Sequence, residues 1–126
     1  MDSGFTGSGF IIDPSGLAVT NNHVVAGASA IQVFIGEEED SRRAQIVARS
    51  ECSDVALIDI AGSGYDYLAW HSGDVQTGEP IYAAGFPRGD PEFTLTRGII
   101  SKDQASTGLD TSWASLKHAI EHDANI

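Results

Sequence analysis

A chain of 126 residues can form one domain with a real core or parts of two small ones, and its formal charge of −11 argues against a nucleic-acid partner. Its seven Lys and Arg are scattered apart from Arg42-Arg43, whereas a phosphate backbone is bound by clustered cations. No apolar run approaches a membrane span, and the single cysteine, Cys52, excludes an internal disulfide, so packing must hold the fold together.

The first half reads as β-structure. Gly9-Phe10-Ile11-Ile12 and Leu17-Ala18-Val19-Thr20 are short β-prone runs joined by Asp13-Pro14-Ser15-Gly16. That tetrapeptide has the Asp, Pro and Gly positions of a type I turn. Residues 31–35 alternate Ile, Val and Ile around Gln32 and Phe34, and 44–48 answer them across the acidic run Glu37-Glu38-Glu39-Asp40. With Arg42-Arg43 beside it, that run is expected to be a solvated turn. From Asp54 to Ile60 the pattern alternates again, with Val55, Leu57 and Asp59 on one face and Ala56, Ile58 and Ile60 on the other. Gly62-Ser63-Gly64 reads as a linker. Residues 80–84 and 93–100 predict two further strands around the turn GFPRGDP. Composition allows a helix over 112–122, capped by Ser112. Short strands spaced by Gly-rich turns favour a barrel or sandwich over a parallel sheet.

Two residues carry chemistry. Thr20-Asn21-Asn22-His23-Val24-Val25 sets a histidine directly after a strand, flanked by residues that tuck it against the core. Ser53-Asp54-Val55-Ala56 puts an acid at the mouth of an apolar strand. Either alone is an ordinary packed imidazole or loop-capping carboxylate. Together they suit acyl transfer, in which an imidazole takes a hydroxyl proton only if a carboxylate fixes its tautomer and stabilises the imidazolium.

In order through nearly the whole chain, GSGFII, PSG, TNNHVV, SDVALIDI, TLTRGIIS and HDANI resemble the HtrA-like branch of the trypsin-type serine proteases. The resemblance implies an all-β, chymotrypsin-like fold of two antiparallel barrels. Residues 1–70 would form the first, its opening strand missing, and 75–126 the beginning of an incomplete second. By matching motif, His23 is the general base and Asp54 its orienting carboxylate. Asp59 falls where the family needs no acid. A residue in the position of Ile126 lines the primary specificity pocket, which implies small aliphatic side chains in the substrate. The nucleophilic serine would follow Ile126, so the chain as given is expected to be inactive. The family needs no cofactor and cleaves misfolded or unstructured polypeptides, commonly as a homotrimer. An extracytoplasmic setting follows by analogy.

No serine already in the chain suits the nucleophile's role. Ser8 and Ser63, each between two glycines, are expected where flexible backbone is wanted. Cys52 is expected to be a small buried hydrophobe. Two other classes remain open: a catalytically inactive peptide-binding protein on the same fold, and a zinc hydrolase. The latter would use His118-Ala119-Ile120-Glu121-His122, which on a helix sets two histidines on one face with Glu121 as base and needs a third ligand such as His71.

Overall fold

The computed structural model describes residues 4–87, 90, 92–106 and 118–125. In chain order they form strands β1 (Gly9–Ile11) and β2 (Leu17–Thr20), the one-turn helix α1 (Asn22–Val25), and strands β3 (Ile31–Val33), β4 (Arg42–Ser50) and β5 (Val55–Ile60). Strands β6 (Pro80–Gly85), β7 (Thr94–Ser106) and β8 (His118–His122) follow. The first five strands make one sheet in the order β1-β2-β5-β4-β3, and the last three make a second in the order β6-β7-β8. Every pairing is antiparallel.

The hydrophobic alternation sets the register. Along β5, Ala56, Ile58 and Ile60 are buried, while Val55 and Asp59 are exposed. These three form the core with Ala18 of β2 and Val25 of α1, and Ile11, Ile31, Val33, Ile35 and Tyr65 pack against it. The Asp13–Gly16 turn closes as its sequence predicts. The Gly16 amide donates to Asp13 O at 3.1 Å, and the Ser15 amide donates to the Asp13 carboxylate at 2.9 Å. In β4 a bulge between Ile46 and Ala48 shifts the register against β5, which bends the strand and strengthens the sheet's twist.

Ile60 is the one large side chain fully buried among the described residues. We expect Ile60→Ala to lower stability by about 2–5 kcal/mol, through lost transfer energy and the cavity left behind. A urea titration followed by circular dichroism would read this as a lower midpoint with an unchanged slope.

Four sequence expectations need correction. The helix over 112–122 is not formed where it is described. Residues 118–122 are β8, and 112–117 lie outside the described residues. Strand β7 continues to Ser106, well past the expected Ile100, and its extension pairs with β8, Ala105 opposite Ala119 and Lys102 opposite Glu121. A five-residue run with two apolar positions has no period that separates helix from strand, and the available ladder decides. Cys52 is exposed rather than buried, because it sits in the turn between β4 and β5 instead of on a core-facing strand position. Ser8, expected in flexible backbone, is half-buried and hydrogen-bonded on both sides.

Candidate active site

The neighbouring strands β2 and β5 deliver the two chemical residues to the same end of the first sheet. Strand β2 ends at Thr20, and α1 begins two residues later, its single turn anchored by Val25, which is 2% exposed, and by buried Asn22. His23 follows Asn22 with its side chain 44% accessible, so the imidazole stands at the surface on a fixed base. Strand β5 runs antiparallel to β2 with Thr20 opposite Ala56, which sets Asp54, just before β5, beside α1.

Asp54 is 6% exposed and is surrounded by donors. Its Oδ2 lies 2.6 Å from His23 Nδ1, and its Oδ1 accepts the His23 backbone N–H at 2.8 Å. Asn21 Nδ2 donates to the same Oδ2 at 3.2 Å and to the Asp54 carbonyl at 3.1 Å. The Asn22 amide also donates to that carbonyl, at 3.2 Å. Burial pushes the Asp54 carboxyl up, but the His23 amide, the His23 ring and Asn21 together outweigh it and hold the carboxyl below its usual range. An ionised carboxylate only accepts hydrogen bonds, so His23 Nδ1 must be the donor. In the neutral ring, the lone pair then resides on Nε2. That is the tautomer a general base needs.

The backbone at Asp54 has φ of +50°, among the described residues the only non-glycine in the left-handed region. Asp and Asn enter this region far more readily than bulkier residues. The turn from Glu51 to Asp54, closed by the Asp54 amide on Glu51 O at 3.3 Å, uses this conformation to aim the carboxylate back at α1.

The other candidates fare differently. Ile126 lies outside the described residues, although the chain leading to it is held firmly. The Ile99 amide donates to Asp123 Oδ1 at 2.7 Å, and the Asp123 amide donates to Ile99 O at 3.3 Å. This seat exists because residue 98 is glycine. A Cβ there would overlap the Ala124 backbone nitrogen and come within 2.5 Å of Asp123 Oδ1. We expect Gly98→Ala to displace residues 123–125 from β7 and to cost about 1–3 kcal/mol of stability, as overpacking does. Faster amide exchange at Ile99, with β5 unchanged, is the measurement that checks it.

The helix that the zinc arrangement needs is not formed among the described residues. His118 and His122 belong to a strand, not to one face of a helix, and Glu121, the would-be base, is paired with Lys102 at 3.0 Å across the β7–β8 ladder. Among the described residues, no three His, Cys, Asp or Glu side chains are grouped to hold a metal.

Asn21, Gly98 and Asp123 are the contributors that sequence reasoning missed. Asn21 had a signal: an Asn at a helix N-cap ordinarily bonds the helix amides, and here its side chain makes no such bond and turns to Asp54 instead.

Residues 7–125 match the family described as the trypsin-like peptidase domain. The chain belongs to the trypsin-like peptidase family. Within that family it is similar to a probable periplasmic serine endoprotease DegP-like of Hahella chejuensis, 38% identical over 97 residues, which is 76% of this chain and 20% of that protein. It is also similar to the serine protease Do-like HtrB of Bacillus subtilis, 32% identical over 112 residues, 86% of this chain and 24% of that protein. The chain thus spans about a fifth to a quarter of these relatives' length.

Two solved structures agree. The HtrA-type protease AlgW with a decapeptide superposes with a TM-score of 0.77 at 32% identity, over 95% of this chain and 36% of that one. The Rv3671c protease in its inactive form superposes with a TM-score of 0.80 at 25% identity, over 97% and 61%. Within this family the chain is similar to HtrA-type members, and its two antiparallel sheets are those of the trypsin-like double-barrel fold.

Proposed function

We propose that the protein is a serine endopeptidase that hydrolyses peptide bonds of unstructured polypeptides through an acyl-enzyme. His23 acts as the general base, and Asp54 orients it. The observation that carries this is the 2.6 Å contact between His23 Nδ1 and an Asp54 carboxylate that three side-chain and backbone donors keep ionised. Residues 1–70 belong to the first barrel and 75–126 to the second, with the reacting groups between them. The attacking hydroxyl stands on the segment that the family resemblance puts after Ile126, and Ile126 itself lines the pocket for the substrate's side chain.

In the reaction, His23 Nε2 takes the proton as the hydroxyl oxygen attacks the scissile carbonyl. The resulting imidazolium is stabilised by Asp54 and gives the proton to the leaving amine. Water then repeats the sequence on the ester. The 126 residues alone bring the base and its orienter but are expected not to turn over substrate. Relatives named as periplasmic endoproteases support an extracytoplasmic location. No helix among the described residues is long and apolar enough to cross a membrane. Assembly as a homotrimer belongs to the same proposal, by family likeness.

A fluorophosphonate probe, which is attacked only by an activated serine, tests the proposal. The full-length protein should be labelled at one serine beyond residue 126, and the 126-residue chain should not be labelled. A full-length protein that binds unstructured peptide but takes no label is a peptide-binding protein on this fold, and the enzymatic proposal fails.

A further inference from the structure

The triplet Gly7-Ser8-Gly9 lies where the two sheets meet the His23 turn. Ser8 Oγ accepts the Phe86 backbone N–H at 2.8 Å, a bond that spans 78 residues of sequence. It joins the segment leading into β1 to the segment following β6. On its other side, the Ser8 carbonyl accepts the Thr20 hydroxyl at 2.9 Å. Thr20 is the last residue of β2 and immediately precedes Asn21, whose side chain holds Asp54.

The flanking glycines tighten this seat. A Cβ on Gly7 would lie 2.6 Å from Val24 Cγ2, so the backbone presses directly on the residue after His23. A Cβ on Gly9 would lie 2.7 Å from Val19 O, so the chain is equally close to β2. On the far side, Phe86 is braced by Phe93 across the β6–β7 connection, the two rings edge to face with centroids 5.8 Å apart. The Phe86 amide, beside the Phe86–Phe93 ring pair, is thus presented to a serine whose neighbour Gly7 presses on α1 and whose carbonyl is bonded to β2.

We propose that Ser8 is a positioning residue, which fixes the second sheet relative to the turn carrying His23 and Asp54. This rests on the peptidase reading for its purpose: a base on one sheet can serve a hydroxyl delivered by the other only if the two are held in register, and catalysis is steeply sensitive to such misplacement. The effect of Ser8 passes through Thr20 to Asn21 on one side and through Phe86 to β6 on the other.

The test uses nuclear magnetic resonance on the 126-residue protein and needs no nucleophile, so an absence of peptidase activity leaves it intact. In the parent protein, residual dipolar couplings from β1–β5 and β6–β8 should fit a single alignment tensor, and the Phe86 amide should be protected. In Ser8→Ala, Phe86 exchange should rise about tenfold, the factor expected for one lost hydrogen bond, while Ile58 at the core keeps its rate. The two sheets should then require different tensors. Ser8→Thr, which keeps the hydroxyl, should restore both readouts. A role in stability alone would accelerate exchange everywhere and leave one tensor. That result, or unchanged Phe86 exchange, overturns the proposal without touching the His23–Asp54 assignment. Should Ser8→Ala fail to fold, Thr20→Val, which removes the donor to the Ser8 carbonyl, must raise Phe86 exchange in the same selective way; no rise overturns it equally.

Discussion

His23→Ala in the full-length protein is expected to lower kcat by about 10⁶-fold, the loss seen when the base of a serine triad is removed, with KM little changed. The reason lies in the geometry. The imidazole, held by Asp54 at Nδ1 and by its own backbone amide on Oδ1, offers a base whose tautomer is fixed before substrate arrives. The fold should survive the change. His23 is 44% exposed at its side chain, and α1 is anchored by Val25 and Asn22 rather than by the ring. A circular dichroism spectrum close to that of the parent would therefore accompany the loss, with stability lowered by about 1–3 kcal/mol because buried Asp54 loses its ring donor. If instead kcat falls less than about tenfold, another group is the base and the assignment of His23 is wrong.

Asp54→Asn is the second large effect, with kcat expected to fall by about 10⁴-fold at neutral pH. Asn fits the left-handed backbone at +50° as well as Asp does, so the substitution isolates the electronic change from backbone strain. The Asp54 oxygens face the His23 amide, the His23 ring and the Asn21 amide, all of them donors to the carboxylate. An Asn must turn its NH₂ toward one of them. Facing His23 Nδ1, it donates where Asp54 accepted, and the ring proton moves to Nε2, which can then no longer take a proton from the hydroxyl. Facing a backbone or amide donor, it leaves a buried hydrogen unpaired, at a cost of about 1–3 kcal/mol.

The same substitution has a signature in acid. Because its carboxyl is held below the usual range in the folded protein, ionised Asp54 stabilises the fold fully above about pH 4, where an unfolded Asp ionises. That contribution is lost as pH falls through the lower folded value. Acid titration of stability should therefore be steeper for the parent than for Asp54→Asn across this window, and the two curves should run parallel above it.

Local pattern carried much of the fold because β5 buries one face, and Ala18 of β2 and half-buried residues of β1 and β3 pack against it. The period-two alternation of Ala56, Ile58 and Ile60 and the Asp-Pro-Ser-Gly turn are direct consequences of backbone geometry, and both were legible. His23 and Asp54 were legible as a pair because motif order constrained them jointly. What stayed hidden depended on contacts distant in sequence. Strand β8 exists because β7 offers it a ladder, which nothing in His118–His122 announces. Cys52 belongs to a turn rather than a core position, a distinction of one or two residues at a strand end. Ser8 looked like flexible backbone because serine between glycines usually is, and its partner Phe86 is far away along the chain. The close approach at Gly98 appears only once Asp123 and Ala124 are laid against β7.

The central physical claim is the ionic hydrogen bond from the His23 ring to Asp54, and ¹⁵N-resolved magnetic resonance of the imidazole measures it without any substrate. At neutral pH the Nδ1 nitrogen should carry the proton, seen as a slowly exchanging downfield signal that disappears in Asp54→Asn. A ring with its proton on Nε2 and an unprotonated Nδ1, indifferent to the Asp54 substitution, would contradict it.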